Sequence, residues 1–163
     1  MRKIFGMVLM AVLSAAQPAL AEPADDAAKL GDLFCNLTRD GAQFEPQYLL
    51  TRTLIADIDT ALNKNDEWAK ANPGDKPPLG DGIQFASFPD GAPVCRPGAL
   101  ADGEGGTKLL DIEYIVGAEP DGNWIDRLVL KTEDSLPRID DVLYGTEKYQ
   151  LGLRKSLVSV FEN

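Results

Sequence analysis

The sequence contains no histidine, and it has only two cysteines among its 163 residues. Histidine is the commonest general base and the commonest zinc ligand in proteins. Its absence excludes Ser-His and Cys-His catalysis as well as every histidine-ligated metal site. Walker-type loops, dinucleotide-binding fingerprints and nucleophile elbows are also missing from the sequence. Carboxylates and tyrosines are therefore the main side chains that remain for acid–base chemistry.

Basic residues are scarce as well, since 16 Lys and Arg stand against 26 Asp and Glu and give a formal charge of −10. The phosphates of nucleic acids repel such a chain, which argues against a nucleic-acid partner. The same charge attracts cationic molecules. The composition is otherwise that of an ordinary globular protein, with 44% hydrophobic and 26% charged residues.

The N-terminal segment, residues 1–21, has the pattern of a cleavable signal peptide. Two basic residues precede an apolar run from Ile4 to Ala16, and Ala19-Leu20-Ala21 follows. The run is shorter than the roughly 20 residues that a membrane helix needs. We therefore predict cleavage after Ala21, a periplasmic or secreted protein, and no membrane attachment after cleavage. The mature chain, residues 22–163, is predicted to be one domain with a formal charge of −12, because the segment removed carries two basic residues and no acid.

Cys35 and Cys95 both lie in the predicted mature chain. An even number of cysteines in an oxidising compartment indicates a disulfide bond. A redox-active thiol is the alternative, but the sequence has no C-x-x-C motif and no histidine that would activate a thiol. We expect a structural bridge, which for a loop of about 60 residues contributes roughly 4 kcal/mol in the chain-entropy model.

The spacing of apolar residues predicts helices over residues 25–40, 46–71 and 147–161. Residues 73–106 are rich in glycine and proline, and we predict a long loop there with one short strand at 83–88. A disulfide to Cys95 would hold this loop against the first helix.

Alternating apolar and polar residues predict an antiparallel sheet between residues 107 and 144. A three-residue hairpin loop at 120–122 sets the register. This register places Tyr114 opposite Leu128 and Asp111 opposite Lys131. The apolar residues then share one face of the sheet and the charged residues share the other.

Asp126 is the candidate general base, because the predicted register places it on the apolar face, opposite Val116 and near Trp124. A carboxylate in apolar surroundings can have a raised pKa. Its position near the hairpin end favours a different interpretation, an acid at the rim that reaches water. The side chains that would line the same concavity, either as a plain core or as a ligand-binding site, are Tyr114, Trp124, Asp126, Leu128 and Tyr144.

Other acidic groups have simpler explanations. Asp111 and Glu113 share the polar face of the sheet and are expected to be solvated, although paired carboxylates can act on glycosides. Alternation predicts that one of Asp140 and Asp141 points outward. The Asp-Gly pairs are explained by turns, and the calcium-binding spacing of an EF-hand is absent. We therefore predict no metal and no other cofactor.

The order of the predicted elements resembles a group of exported bacterial domains of unknown function. The specific points are the third strand, Arg138-Ile-Asp-Asp-Val-Leu-Tyr144, and Gly152-Leu-Arg-Lys-Ser-Leu157 near the C-terminus. These domains belong to the cystatin-like, nuclear-transport-factor-two-like superfamily. The resemblance implies a cone-shaped α+β fold, in which N-terminal helices pack on a curved antiparallel sheet that a C-terminal helix follows. The superfamily includes enzymes, ligand binders and immunity proteins, so the fold alone does not assign a function.

The function that these observations favour is non-catalytic binding of a protein partner. A basic periplasmic or secreted protein, such as a cell-wall hydrolase or a toxin, fits the acidic charge, and the role would then be immunity- or inhibitor-like. One alternative is a binder of a small apolar ligand in the sheet concavity. Another is an acid–base enzyme that uses Asp126 with a tyrosine.

Overall fold

A computed structural model of the chain describes residues 23–38, 48–80, 82–88, 90–117, 122–146 and 151–162. The predicted signal peptide lies outside these residues, and so do the first residues of the second and third predicted helices. Across the described ranges, no helix is both long and apolar enough to span a bilayer.

Three helices are present: α1 (Pro23–Thr38), α2 (Arg52–Ala71) and α3 (Leu153–Ser159). The second helix begins six residues later than predicted, because Thr51 caps its N-terminus. The Thr51 Oγ1 accepts a hydrogen bond from the Leu54 N–H at 3.2 Å. The residues before this cap pair with the sheet instead of joining the helix.

The sheet has four antiparallel strands in chain order: β1 (Val94–Asp102), β2 (Lys108–Ile115), β3 (Trp124–Glu133) and β4 (Leu136–Leu143). The prediction that residues 73–106 form a long loop whose one strand lies at 83–88 was wrong, since β1 lies inside this range. Residues 83–88 form no strand. β1 contains proline, which has no backbone N–H to donate. This is tolerated because β1 is an edge strand, and one side of it has no neighbouring strand in the described sheet to accept a hydrogen bond.

The pairing of β2 with β3 differs from the predicted register by four residues. Tyr114 pairs with Trp124, and Asp111 pairs with Arg127 rather than with Lys131. The side-chain period of a strand is two, so an offset of four leaves each residue on its predicted face. The prediction of one apolar and one charged face is therefore confirmed, although the predicted partners were wrong.

The core lies between the helices and one face of the sheet. α1 and α2 contribute buried apolar side chains to it, and the described residues of the opposite sheet face are half-buried or exposed. At the outer edge of β4, Ile139 accepts a hydrogen bond from Thr51 N and donates one to Leu49 O, each 2.8 Å long. This short parallel pairing covers the β4 edge and completes an α+β fold.

A disulfide bond joins α1 to the edge strand β1, since the Sγ atoms of Cys35 and Cys95 are 1.96 Å apart. α1 lies close to the sheet at Gly31, where a Cβ atom would come within 2.9 Å of both Leu110 and Pro97. Glycine therefore permits this close approach, and the disulfide bond fixes the first helix against the first strand.

Candidate functional site

Asp126, the predicted candidate base, lies inside the protein. Its side chain is 0% exposed, and it pairs across the sheet with Ile112 instead of Val116. The prediction of a rim acid in contact with water was wrong because the true register moves the residue away from the hairpin end. A buried carboxylate requires hydrogen-bond partners, and the surrounding loops supply them.

Both carboxylate oxygens of Asp126 accept hydrogen bonds from neutral groups. Oδ2 accepts from the Ser87 backbone N–H at 2.8 Å, and Oδ1 accepts from the Gly145 N–H at 2.9 Å. The Ser87 hydroxyl also donates to Oδ1. One serine therefore contributes two of the three donors, and it comes from a segment far away in the sequence.

This segment, residues 82–88, covers Asp126 and is called the covering loop below. Ile83, Phe85 and Ala86 are half-buried and pack against the core. The Tyr144 hydroxyl donates to the carbonyl oxygen of Gln84 at 2.6 Å. The loop thus closes over the side of the sheet on which a ligand concavity was predicted.

Two aromatic residues under the covering loop have unsatisfied polar atoms. Tyr114 and Trp124 stack with ring centroids 4.7 Å apart, and Phe88 packs edge-on against Trp124 at 4.8 Å. The Tyr114 hydroxyl and the Trp124 Nε1 are buried, and neither has a hydrogen-bond partner among the described residues. Burial raises the pKa of Tyr114, and the charge of Asp126 raises it further. The phenol therefore stays protonated and remains a hydrogen-bond donor.

The five predicted lining residues do come together, but they are packed. Leu128 and Asp126 are fully buried and Tyr114 is 3% exposed. Burial, followed by the charges of Asp141 and Asp126, raises the pKa of Tyr144. In the structure these side chains form part of the interior beneath the covering loop.

A second buried carboxylate, Asp140, organises a cluster that the sequence did not predict. Leu130 pairs with Ile139 while Val129 pairs with Asp141, so Asp140 is the extra residue of a β-bulge. It is 6% exposed. The expectation that one of the two aspartates lies on the outer face is confirmed for Asp141, which is half-buried and pairs with Val129 on the face opposite the core, whereas the bulge places Asp140 in the interior.

Asp140 is held mainly by cations. Arg154 Nη2 lies 2.7 Å from Oδ1, and Lys131 Nζ lies 2.7 Å from Oδ2. The Thr51 hydroxyl donates to Oδ1 at 2.9 Å. Burial alone would raise the pKa of Asp140, but the bonds from Lys131 and Thr51 and the charge of Arg154 outweigh burial and lower it.

Arg154 connects this cluster to both neighbouring helices. Its Nε donates to the Asp140 carbonyl oxygen at 2.7 Å, its Nη2 donates to the Thr53 hydroxyl at 2.9 Å, and its Nη1 pairs with Asp57. Because these groups belong to β4, α2 and α3, the arrangement fixes the three elements together. Nothing in the sequence pattern links Arg154 with Asp57, since the two residues are 97 positions apart.

Asp141 has a different environment from its neighbour. Its Oδ1 accepts the backbone N–H groups of Val142 at 2.8 Å and of Arg154 at 3.0 Å. Burial raises the pKa of Asp141 despite these bonds. A Cβ atom at Gly152 would lie 2.8 Å from Asp141 Oδ2, so a glycine gives the carboxylate its space.

A groove of about 240 Å³ lies between α2 and α3. Asp57, Thr60, Lys64 and Arg154 contribute its polar lining. The Lys64 Nζ lies 5.9 Å from the centre of the Phe161 ring. Because Arg154 is already bonded to Asp57 and Asp140, its charge is largely compensated within the protein.

The exposed sheet face carries paired charges. Arg127 Nε lies 2.6 Å from Asp111 Oδ1, and Arg96 Nη2 lies 2.8 Å from Glu113 Oε2. The interpretation of Asp111 and Glu113 as a polar sheet surface is therefore confirmed, with arginine partners in place of the predicted Lys131.

Much of the remaining acidity is exposed on the two long helices and the loops. The exposed acidic residues that form no ion pair with another described residue are Asp25, Asp32, Asp59, Asp66, Glu67, Asp75, Asp90, Glu104 and Glu162. Three of these residues, Asp59, Asp66 and Glu67, lie on exposed positions of α2. After Ala61, α2 has no fully buried side chain, so this half of the helix is accessible.

Potential metal ligands are not grouped in this protein as far as the structure describes it, since no three Asp, Glu or Cys side chains there could hold an ion together. No protein-family model, curated protein or solved structure matches the chain. Its function must therefore be inferred from its own geometry.

Proposed function

We propose that the protein is a non-catalytic binding protein of the periplasm or the extracellular space, and that its partner is a basic protein. The observation that carries this proposal is the set of exposed acids on α2, Asp59, Asp66 and Glu67, which no described cation neutralises. Lys64 and Lys70 are exposed on the same part of α2, so the charge of this surface is net negative but not of one sign. A net negative surface accelerates encounter with a cationic partner. We name these three residues the α2 acidic surface.

The disulfide bond supports an exported location, because such bonds persist in oxidising compartments. The cleavable signal peptide at residues 1–21 is part of the same proposal. So is the cystatin-like cone shape, which agrees with helices packed on one face of an antiparallel sheet. An immunity- or inhibitor-like role against a cell-wall hydrolase or toxin is the specific form that we favour.

The enzyme alternative receives less support from the geometry. Both oxygens of Asp126 accept hydrogen bonds from the protein itself, and the side chain is fully buried. Burial raises the pKa of the tyrosines nearby, so they stay protonated near neutral pH and lack the phenolate form that would act as a base. The exposed charge is consequently a better guide to function than the buried carboxylate.

The proposal is tested by affinity capture from periplasmic and secreted fractions at low and high salt. The captured partner is then measured against the variant Asp59→Lys, Asp66→Lys, Glu67→Lys. We expect the association rate at low salt to fall about tenfold or more, with a smaller effect at high salt. The control variant carries the same charge change elsewhere, as Asp25→Lys, Asp90→Lys, Glu104→Lys. Its association rate at low salt should fall less than that of the α2 variant. Absence of a basic partner at low salt, or equal losses in both variants, would contradict the proposal.

A further inference from the structure

The covering loop is attached to the sheet by specific hydrogen bonds and a ring contact, in addition to the packing of Ile83, Phe85 and Ala86 against the core. Ser87 offers Asp126 a backbone N–H and a hydroxyl, and the Gln84 carbonyl accepts the Tyr144 hydroxyl. The Phe88 ring packs edge-on against Trp124, yet it remains 55% exposed. The loop has no helical or strand structure of its own. Its contacts with the sheet are therefore made by side chains and single backbone groups and not by strand pairing.

The closed arrangement leaves two polar groups unsatisfied. The Tyr114 hydroxyl and the Trp124 Nε1 are buried donors without an acceptor among the described residues, and Tyr114 is only 3% exposed. An unsatisfied buried donor is unfavourable, and buried polar groups of this kind are rare in native proteins. A molecule that supplied acceptors at this place would remove that unfavourable term.

We propose that the covering loop occupies the binding site of a peptide segment from the partner. This segment displaces the loop, repeats its contacts with Asp126, Tyr144 and the Trp124 ring, and adds acceptors for the Tyr114 hydroxyl and Trp124 Nε1 that the loop does not supply. The segment has a Ser or Thr followed directly by an aromatic residue. Its N–H and hydroxyl donate to Asp126, its ring packs on Trp124, and its carbonyl groups accept from Tyr144, Tyr114 and Trp124. This inference rests on the proposed function, since it names a segment through which a protein partner binds.

A peptide fits these contacts better than a small molecule does. Asp126 receives two donors from a single residue, which is the pattern of a serine or threonine with a free backbone N–H. The carbonyl that Tyr144 binds lies three residues before that serine, and the aromatic ring lies one residue after it. A peptide chain places all three groups at these intervals through its regular backbone repeat.

The first residue of the covering loop is a glycine. Gly82 has a φ of 132°, which residues with a side chain rarely adopt. A Cβ atom at Gly82 would meet nothing within 4 Å, so this glycine is explained by backbone conformation and not by packing. A conformationally free residue at the start of the loop can absorb the change in backbone angles that displacement of the loop requires.

Trp124 reports directly on the site, because the chain has only one other tryptophan. In the mature chain with Trp68→Phe, we measure the fluorescence of Trp124 during titration with a blocked synthetic peptide that copies residues 82–88, Gly-Ile-Gln-Phe-Ala-Ser-Phe. We expect a saturable change. A control peptide has Ala in place of the serine and of the last phenylalanine. This control peptide should bind at least tenfold more weakly than the copied peptide.

Loosening the loop should improve binding. Ser87→Ala in the same background removes one bond that holds the loop, so the apparent affinity for the copied peptide should rise about fivefold or more. Hydrogen exchange gives a second measurement, in which bound peptide accelerates exchange of the residue 87 amide and leaves the Gly145 amide protected. If both peptides give identical titrations, or no saturable change, with Ser87→Ala folded by circular dichroism, the inference is wrong.

The test of the peptide site and the test of the proposed function can fail independently. If the copied peptide fails to bind or to compete while a basic partner still depends on the α2 acidic surface, only the peptide site is refuted. If the peptide binds and no basic partner is captured, the site stands and the charge-based proposal fails.

Discussion

Asp126 and Asp140 are both buried aspartates on neighbouring strands, but they are stabilised by different groups. Asp140 is bonded to Arg154, Lys131 and Thr51, which belong to the helices and the sheet. The donors to Asp126 are neutral groups of Ser87 and Gly145, which lie outside helices and strands.

We infer from this difference that Asp140 serves the stability of the fold, whereas the hydrogen-bond donors of Asp126 can be exchanged for those of another molecule. Charged, mutually bonded groups on regular elements can be removed only at a large loss of stability. Neutral donors on a loop can be replaced by equivalent donors from another molecule. The four predictions below test this contrast, beginning with the largest expected effect.

Arg154→Met should lower the free energy of unfolding by about 3 kcal/mol, because it leaves Asp140 and Asp57 without their shared cation while keeping most of the alkyl packing. Urea unfolding followed by circular dichroism measures the change. Lys155→Met is the matched control, since Lys155 is exposed on the same helix, and it should alter stability by less than about 0.5 kcal/mol. Equal effects of the two variants would show that Asp140 does not depend on Arg154.

Asp140→Asn should lower the free energy of unfolding by about 2 kcal/mol at pH 7, because it removes the charge that Lys131 and Arg154 face. The pKa of Asp140 is lower in the folded protein than in the unfolded chain. Its stabilising contribution is therefore present above the unfolded pKa, near 3.9, and is lost as the pH falls through the folded pKa.

The measurement is urea unfolding of wild type and Asp140→Asn at several pH values from 7 to 3. The difference in free energy of unfolding between wild type and Asp140→Asn should be constant above about pH 5 and should shrink below about pH 4. A difference that does not change with pH would mean that the charge of Asp140 does not stabilise the fold.

Ser87→Ala should lower the free energy of unfolding by about 1.5 kcal/mol, the size expected for a hydroxyl bond to a charged group. The effect is smaller than that of Arg154→Met because the Ser87 and Gly145 backbone donors remain. Ser159→Ala removes a hydroxyl that has no such bond and is the control, with an expected change below about 0.5 kcal/mol. If the free energy of unfolding fell by more than about 3 kcal/mol, Ser87 would be as important to the stability of the fold as Arg154, contrary to the contrast between Asp126 and Asp140.

Sequence patterns predicted local features better than long-range contacts. Three of the strands were predicted with their faces correct because alternation is a local property. The strand β1 was missed, since proline and glycine in residues 94–102 resemble a loop until the edge position and the disulfide bond are known. The register of β2 with β3 depends on the turn between them, where the true pairing is centred two residues earlier than predicted.

The two carboxylate clusters show the same limit. The sequence identified Asp126 and its aromatic neighbours because they share one strand face. It did not place Ser87 over Asp126, since the two are 39 residues apart and a loop carries the serine. The Asp140 cluster depends on a bulge, which shifts one residue out of the alternation that the sequence analysis assumed.

The smallest expected effect comes from Asp141→Asn. Burial raises the pKa of Asp141, so its charged form is less favourable in the folded protein, and this cost grows as the pH rises through the folded pKa. The asparagine oxygen can still accept the bonds from Val142 and Arg154. We expect stability at pH 7 to be unchanged or higher by up to about 0.5 kcal/mol, with the variant's advantage disappearing in acid. Urea unfolding at pH 7 and pH 4 measures this, and a loss above 1 kcal/mol at pH 7 would show that the ionised carboxylate itself is required, as it is at Asp140.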